Sequence, residues 1–186
     1  MKPTVQSETP IVIDKKPTII TKVAEIAKAL VTPKPKLDIE KFNNSKQIAI
    51  KIIKEFEGCR LKAYKCSAGV WTIGYGHTAG VKEGIVITQQ QAETYFESDI
   101  MEFLLPVQKQ VGNICNANQI AALTSFAFNL GNEALKKSTL LKVIKKNPQN
   151  FTEIRKEFMR WVYADGKVIE GLVTRRQNEV DLFEKV

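Results

Sequence analysis

The sequence predicts an α+β fold of two lobes, a small antiparallel β-hairpin lobe and a mainly helical C-terminal lobe, joined across a cleft. Three observations carry this. Five of the seven prolines (Pro3, Pro10, Pro17, Pro33, Pro35) precede residue 44 and glycine is absent before Gly58, which sets an extended N-terminal segment apart from the rest of the chain. Apolar residues then recur at helical spacing, give way to alternation over 60–75, and return to helical spacing after Gly84. With 44% hydrophobic residues in 186, the chain holds enough apolar side chains for a core that needs no staples.

Taken in order, residues 1–43 are predicted to be a flexible Pro/Lys-rich tail or linker, with one short amphipathic helix near 19–31. A folded domain is predicted over 44–186. Its first helix carries Ile48, Ala49, Ile52, Ile53 and Phe56 on one face, with Asn44 or Ser45 capping the start and Gly58 the end. Glu57 falls in the last turn of that helix. A carboxylate there meets the negative end of the helix dipole, which favours its protonated form. Strands are expected over 60–65 and 70–75, joined by a Ser67-Ala68-Gly69 turn. The remainder is predicted to be helical: 88–105 with a Thr88/Gln91 capping box and Pro106 at its end, 116–130 closed by Gly131, then 138–146, 148–163 and 172–184.

Composition narrows the chemistry. A formal charge of +8, from 28 basic and 20 acidic residues, suits a polyanionic partner. The lysines are scattered without aromatic interleaving or zinc-finger spacing, so nucleic acid is not the expected partner. Three cysteines (Cys59, Cys66, Cys115), one histidine and no CxxC exclude a disulfide-built scaffold and argue against a metal site. No stretch approaches the run of about twenty apolar residues that a spanning helix needs. The segment 18–32 is interrupted by Lys22, Glu25 and Lys28, so neither a stable membrane anchor nor a cleaved signal is expected.

Glu57, Cys66 and Thr72 form the constellation of interest. A glycosidase needs one carboxylic acid to protonate the leaving oxygen and a second group to activate or replace water. Glu57 suits the first role. Cys66 at the hairpin turn and Thr72 on the second strand border the same groove if the hairpin folds back beside the helix end. Trp71 and Tyr75 flank Thr72, lining the groove or filling core; Tyr75 is taken as a substrate contact.

Separated blocks of the chain carry a resemblance. They are Glu57-Gly58, Arg60-Leu61-Lys62-Ala63-Tyr64, Gly69-Val70-Trp71-Thr72-Ile73-Gly74-Tyr75-Gly76-His77-Thr78, Phe126-Ala127-Phe128-Asn129-Leu130-Gly131, Ser138-Thr139-Leu140, and Gly171-Leu172-Val173 with Arg175-Arg176. In this order they resemble the phage-type lysozymes (endolysins) of glycoside hydrolase family 24, lambdoid branch, over residues 45–184. The resemblance implies a lysozyme-like fold and hydrolysis of the β-1,4 bond between N-acetylmuramic acid and N-acetylglucosamine in peptidoglycan, with no cofactor. It implies Glu57 as general acid, Thr72 as the residue holding the catalytic water, and Cys66 where T-even relatives have an aspartate. Asn129 matches a glycan contact, Arg175 the arginine paired with the catalytic glutamate, and His77 a structural residue paired with a carboxylate.

A thiol is mostly neutral at neutral pH and a poorer base than a carboxylate, which leaves three readings of Cys66: a partial thiolate that activates water or attacks carbon, a bystander to Glu57 and Thr72, or a tolerated replacement. A disulfide from Cys66 to Cys59 or Cys115 is a further reading, and it blocks the groove until reduced. With no signal or anchor visible, a monomer is expected in the cytoplasm of the host cell, released to periplasmic peptidoglycan by a separate holin-type protein. Alternatives are a lytic transglycosylase, or a catalytically decayed module that binds peptidoglycan or disrupts membranes.

Overall fold

The computed structural model describes residues 38–66 and 68–185. The sequence expectations for residues 1–37, including the short helix near 19–31, and for Ser67 of the hairpin turn lie outside the described residues.

Helix α1 (Ile39–Glu57) begins earlier than the sequence predicts. Asp38 caps it, its side chain accepting from Lys41 N at 2.9 Å, so residues 39–43, read as tail, are helical. Two contacts explain the extra turn: Lys41 Nζ donates to Gly112 O at 2.6 Å, and Phe42 packs against the main core. Ser45, Ala49, Ile52 and Ile53 form the buried face, and Gly58 ends the helix at φ 62, a left-handed value that favours glycine.

Strands β1 (Arg60–Lys65) and β2 (Trp71–Gly74) pair antiparallel, with Tyr64 opposite Thr72 and an irregularity between Arg60 and Tyr64. The chain at 85–87 adds to the hairpin through Ala63 N to Ile85 O and Ile87 N to Leu61 O, both 2.9 Å. Ile73, Ile87 and Ala92 make a small core of their own. Gly74 lets β2 lie against α2 (Gln89–Val111): a Cβ there meets Ala92 Cβ at 3.4 Å, and φ is +63.

Helix α2 links the lobes. Its first buried residue, Ala92, belongs to the hairpin core; Phe96, Ile100, Leu104, Val107 and Val111 belong to the main one. It opens on the predicted Thr88/Gln91 capping box but passes straight through Pro106 to Val111, against the expectation that Pro106 ends it. Proline removes the N–H that bonds the carbonyl four residues back. That carbonyl, Glu102 O, instead accepts from Asn132 Nδ2 at 3.0 Å.

Helix α3 (Ala117–Leu130) is wrapped by neighbours, and every residue from Gln119 to Ala127 is buried. A helix in that position is mostly apolar all round, and its buried polar residues Gln119, Thr124 and Ser125 are hydrogen-bonded. Each buried Leu, Ile or Phe contributes about 1.5–3 kcal/mol through removal from water. Asn116, expected as the first helical residue, caps the start, and the predicted Gly131 closes the end. Two short helices come next, α4 (Asn132–Lys137), which sequence reasoning missed, and α5 (Thr139–Lys146), capped by Ser138.

Helix α6 (Phe151–Phe158) is half the predicted length. The chain then makes a second hairpin, β3 (Tyr163–Ala164) with β4 (Lys167–Val168). Asp165 and Gly166 turn it, with φ 49 and 75, the two positive values of a tight hairpin turn. The helical spacing of Ile154, Phe158 and Trp161 masked that Asp-Gly signal. Helix α7 (Glu170–Phe183) closes the fold against α3 and α6. Among the described residues, no helix is long and apolar enough to cross a membrane.

Candidate active site

Glu57 sits at the C-terminal end of α1, its side chain 24% exposed. Arg175 of α7 reaches it: Nη1 donates to Glu57 Oε1 at 2.7 Å. The rest of Arg175 is buried, with Nη2 donating to Ser125 O at 3.3 Å, Nε to Glu179 Oε1 at 3.4 Å, and the guanidinium over the Phe56 ring at 5.1 Å. A planar fork of five donors serves three elements at once.

Glu179 anchors the fork from behind. Its carboxylate has no solvent exposure and accepts from Ser125 Oγ at 2.7 Å and Arg176 Nη2 at 3.1 Å, while Arg176 Nε lies 2.9 Å from Oε2. Arg176 is itself fully buried over the Phe126 ring at 4.8 Å. Burial pushes the Glu179 carboxyl up, to about 7, and the Arg176 guanidinium down, because both charges have left water. Arg176 Nη2 also donates to Asn129 Oδ1 at 2.9 Å. Asn129, expected to touch glycan, thus commits one lone pair of its carbonyl to Arg176 and keeps its Nδ2 amide for a ligand.

Cys66 and Thr72 form a second group. Strand alternation puts Tyr64, Cys66 and Thr72 on one face of the hairpin, because Tyr64 pairs with Thr72 and Cys66 N donates to Val70 O at 3.0 Å. Hydrogen bonding from backbone N–H groups of Val70 and Ala68 holds the Cys66 thiol below its ordinary value, helped by the Thr72 hydroxyl. Thr72 Oγ1 also lies 3.0 Å from Val70 O. One hydroxyl proton serves the sulfur or the carbonyl, never both.

Tyr75 and His77 take other partners. The Tyr75 hydroxyl donates to Glu93 Oε1 at 2.7 Å and accepts from Gln89 Nε2 at 3.0 Å, and burial pushes its pKa up to about 12. His77 Nδ1 faces the Asp99 carboxylate at 2.9 Å, Nε2 faces Ala79 O at 3.0 Å, and its ring stacks on Tyr95.

All three cysteines are free. A six-residue strand separates Cys59 from Cys66, a span of about 20 Å at the rise of extended chain, far beyond the reach of a disulfide. Cys115 is packed in the main core, where burial pushes its thiol up to about 12.

Sequence reasoning missed Glu179 and Ser125. The signal for Glu179 was its spacing, four residues after Arg175 and three after Arg176, which stacks all three on one helical face. Ser125 carried no signal, since its role depends on how α3 meets α7.

A helical body and a small hairpin lobe, with an arginine-held glutamate at the end of α1, make a lysozyme-like architecture. The chain belongs to the phage lysozyme family, whose model matches residues 54–179. It is 44% identical over 137 residues to an endolysin of Acyrthosiphon pisum secondary endosymbiont phage 1, covering 72% of this chain and 92% of that one. It is 43% identical to an endolysin of Bacillus phage B103, covering 75% of this chain but 54% of that longer protein. Among solved structures, the muramidase domain of SpmX from Asticaccaulis excentricus matches with a TM-score of 0.68 and 32% identity, over 74% of this chain and 95% of that one.

Proposed function

We propose that this chain is an endolysin, a muramidase that hydrolyses the β-1,4 bond between N-acetylmuramic acid and N-acetylglucosamine in peptidoglycan. The observation that carries this reading is Glu57, a half-buried carboxyl group held at 2.7 Å by the buried Arg175 in a member of the phage lysozyme family.

In the reaction, protonated Glu57 gives its proton to the glycosidic oxygen as the bond to the anomeric carbon breaks. Positive charge develops on the sugar, and a water molecule adds to that carbon. Thr72 holds the water through the oxygen lone pairs left free when its proton is bonded to Val70 O. Cys66, its thiolate favoured by the surrounding backbone N–H groups, takes the proton that the water loses and releases it to solvent, and solvent returns one to Glu57. Asn129 offers its Nδ2 amide to the glycan. Arg175 and His77 position rather than react. The positive surface draws the enzyme to the free carboxylates of peptidoglycan. A monomer acting after release by a holin-type protein fits this role.

Clearing of chloroform-treated Gram-negative cells tests the reading. Wild type lowers turbidity and Glu57→Gln does not; equal clearing by both overturns the enzymatic account. Mass spectrometry of the products then distinguishes hydrolysis, which leaves a reducing end, from transglycosylation, which leaves a 1,6-anhydro end.

A further inference from the structure

The buried carboxylate of Glu179 has no part in the chemistry above, yet it is the centre of the charges behind Glu57. It touches both arginines of α7, and Arg175 bridges it to the general acid. We propose that Glu179 is a positioning residue for the reaction: it holds Arg175 in place and shares its charge, so that Arg175 orients Glu57 without stripping it of its catalytic proton. This rests on Glu57 as the general acid.

Charge balance is the physical basis. Two arginines and two carboxylates lie in contact, and Arg176 is buried with its Nη1 lacking a hydrogen-bond partner. Its positive charge is compensated almost wholly by Glu179. With Glu179 ionised, the cluster carries one net positive charge when Glu57 is protonated and none when Glu57 is ionised. Without that carboxylate, both arginines act on Glu57 alone. An additional uncompensated positive charge in a desolvated site favours the ionised acid, and an ionised Glu57 cannot protonate a leaving group.

Groups from three helices face Glu179. From α7 come Arg175 and Arg176; from α3, Ser125 directly and Asn129 through Arg176; from α1, Glu57 through Arg175. Helix α6 also packs on α7, but its Arg155 pairs with Glu184 and Asp181, and its Glu157 with Arg160. Burial raises the Glu179 carboxyl to about 7, whereas Ser125 and the arginines pull the other way. The Ser125 hydrogen bond is therefore part of what keeps Glu179 charged.

The test is the pH profile of cell clearing for wild type, Glu179→Gln, Glu179→Asp, Ser125→Ala and Glu57→Gln, each with its thermal midpoint measured. The alkaline limb reports loss of the general acid's proton. In Glu179→Gln it moves to lower pH by about one unit, with kcat reduced and KM unchanged. Glu179→Asp, which keeps the charge, stays near wild type. Ser125→Ala shifts the limb in the same direction by less, and it decides the matter if Glu179→Gln does not fold. A folded variant with lower activity but a limb that superimposes on wild type overturns the proposal, because a purely structural role lowers the whole profile. Clearing by Glu57→Gln overturns it together with the general-acid reading. Loss of clearing in Glu57→Gln with unmoved limbs in the others overturns this inference alone.

Discussion

Arg175 Nη1 lies 2.7 Å from Glu57 Oε1, joining two residues 118 positions apart in the chain. The contact ties the end of α1 to α7, and the same guanidinium bonds the carbonyl of Ser125 in α3. Three elements therefore depend on one side chain that is 6% exposed.

Arg175→Met is expected to cost about 3–5 kcal/mol, because it leaves Glu57 and Glu179 without a partner they share. Chemical denaturation measures this. Arg175→Lys keeps the charge but has no fork to span Glu57, Glu179 and Ser125 together. It is expected to fold and to clear cells at least about tenfold more slowly. Activity equal to wild type in the Lys variant argues that charge alone suffices.

Cysteine reactivity separates Cys66 from Cys115. Iodoacetamide reacts with thiolate, so Cys66, held below its ordinary value by backbone N–H groups, is expected to be labelled at a pH where a free thiol is still protonated. Cys115, buried and pushed up to about 12, is expected to label only on unfolding. Mass mapping of labelled peptides against pH checks both. Cys66→Ser and Cys66→Asp then test the chemistry: slower clearing in Ser with recovery in Asp supports the thiolate as base, and full activity in Ser removes it.

Glu93 gives a stability signature in acid. Lys54 holds its carboxyl below the ordinary range, with Tyr75 and Gln89 adding hydrogen bonds. A group whose folded pKa is depressed stabilises the protein above its unfolded pKa, and that contribution is lost as pH falls through the folded one. The side chain is about one-third exposed, so screening limits the effect to about 0.5–1 kcal/mol. Glu93→Gln is thus expected to melt lower than wild type at neutral pH and to converge with it below the carboxylate range. A constant gap between the two melting curves refutes the assignment.

Asn132 replaces the donor that Pro106 lacks. Asn132→Ala leaves Glu102 O without its protein partner and is expected to cost about 0.5–1.5 kcal/mol. In a Pro106→Ala background the helix regains its own N–H, so the same substitution is expected to cost less. A double-mutant cycle reads the difference, and additivity of the two changes rules out the compensation.

Most elements and their stops were legible in the chain itself. Thr88 caps where expected, and Gly58 and Gly131 terminate where expected, because capping and left-handed turns are local matters of side-chain chemistry and φ. Residue types and spacing also marked Glu57, Cys66 and Thr72 as the ones to follow. Local rules failed at Pro106 and at 148–163, where a carbonyl found a distant donor and an Asp-Gly turn prevailed over helical spacing. The resemblance already implied that Arg175 pairs with Glu57, but packing alone settled that Glu179 lies behind it fully buried and that Asn129 bonds Arg176. Those facts depend on how α1, α3 and α7 meet one another, and buried charges are satisfied by whichever partner the packing delivers, at any distance along the chain.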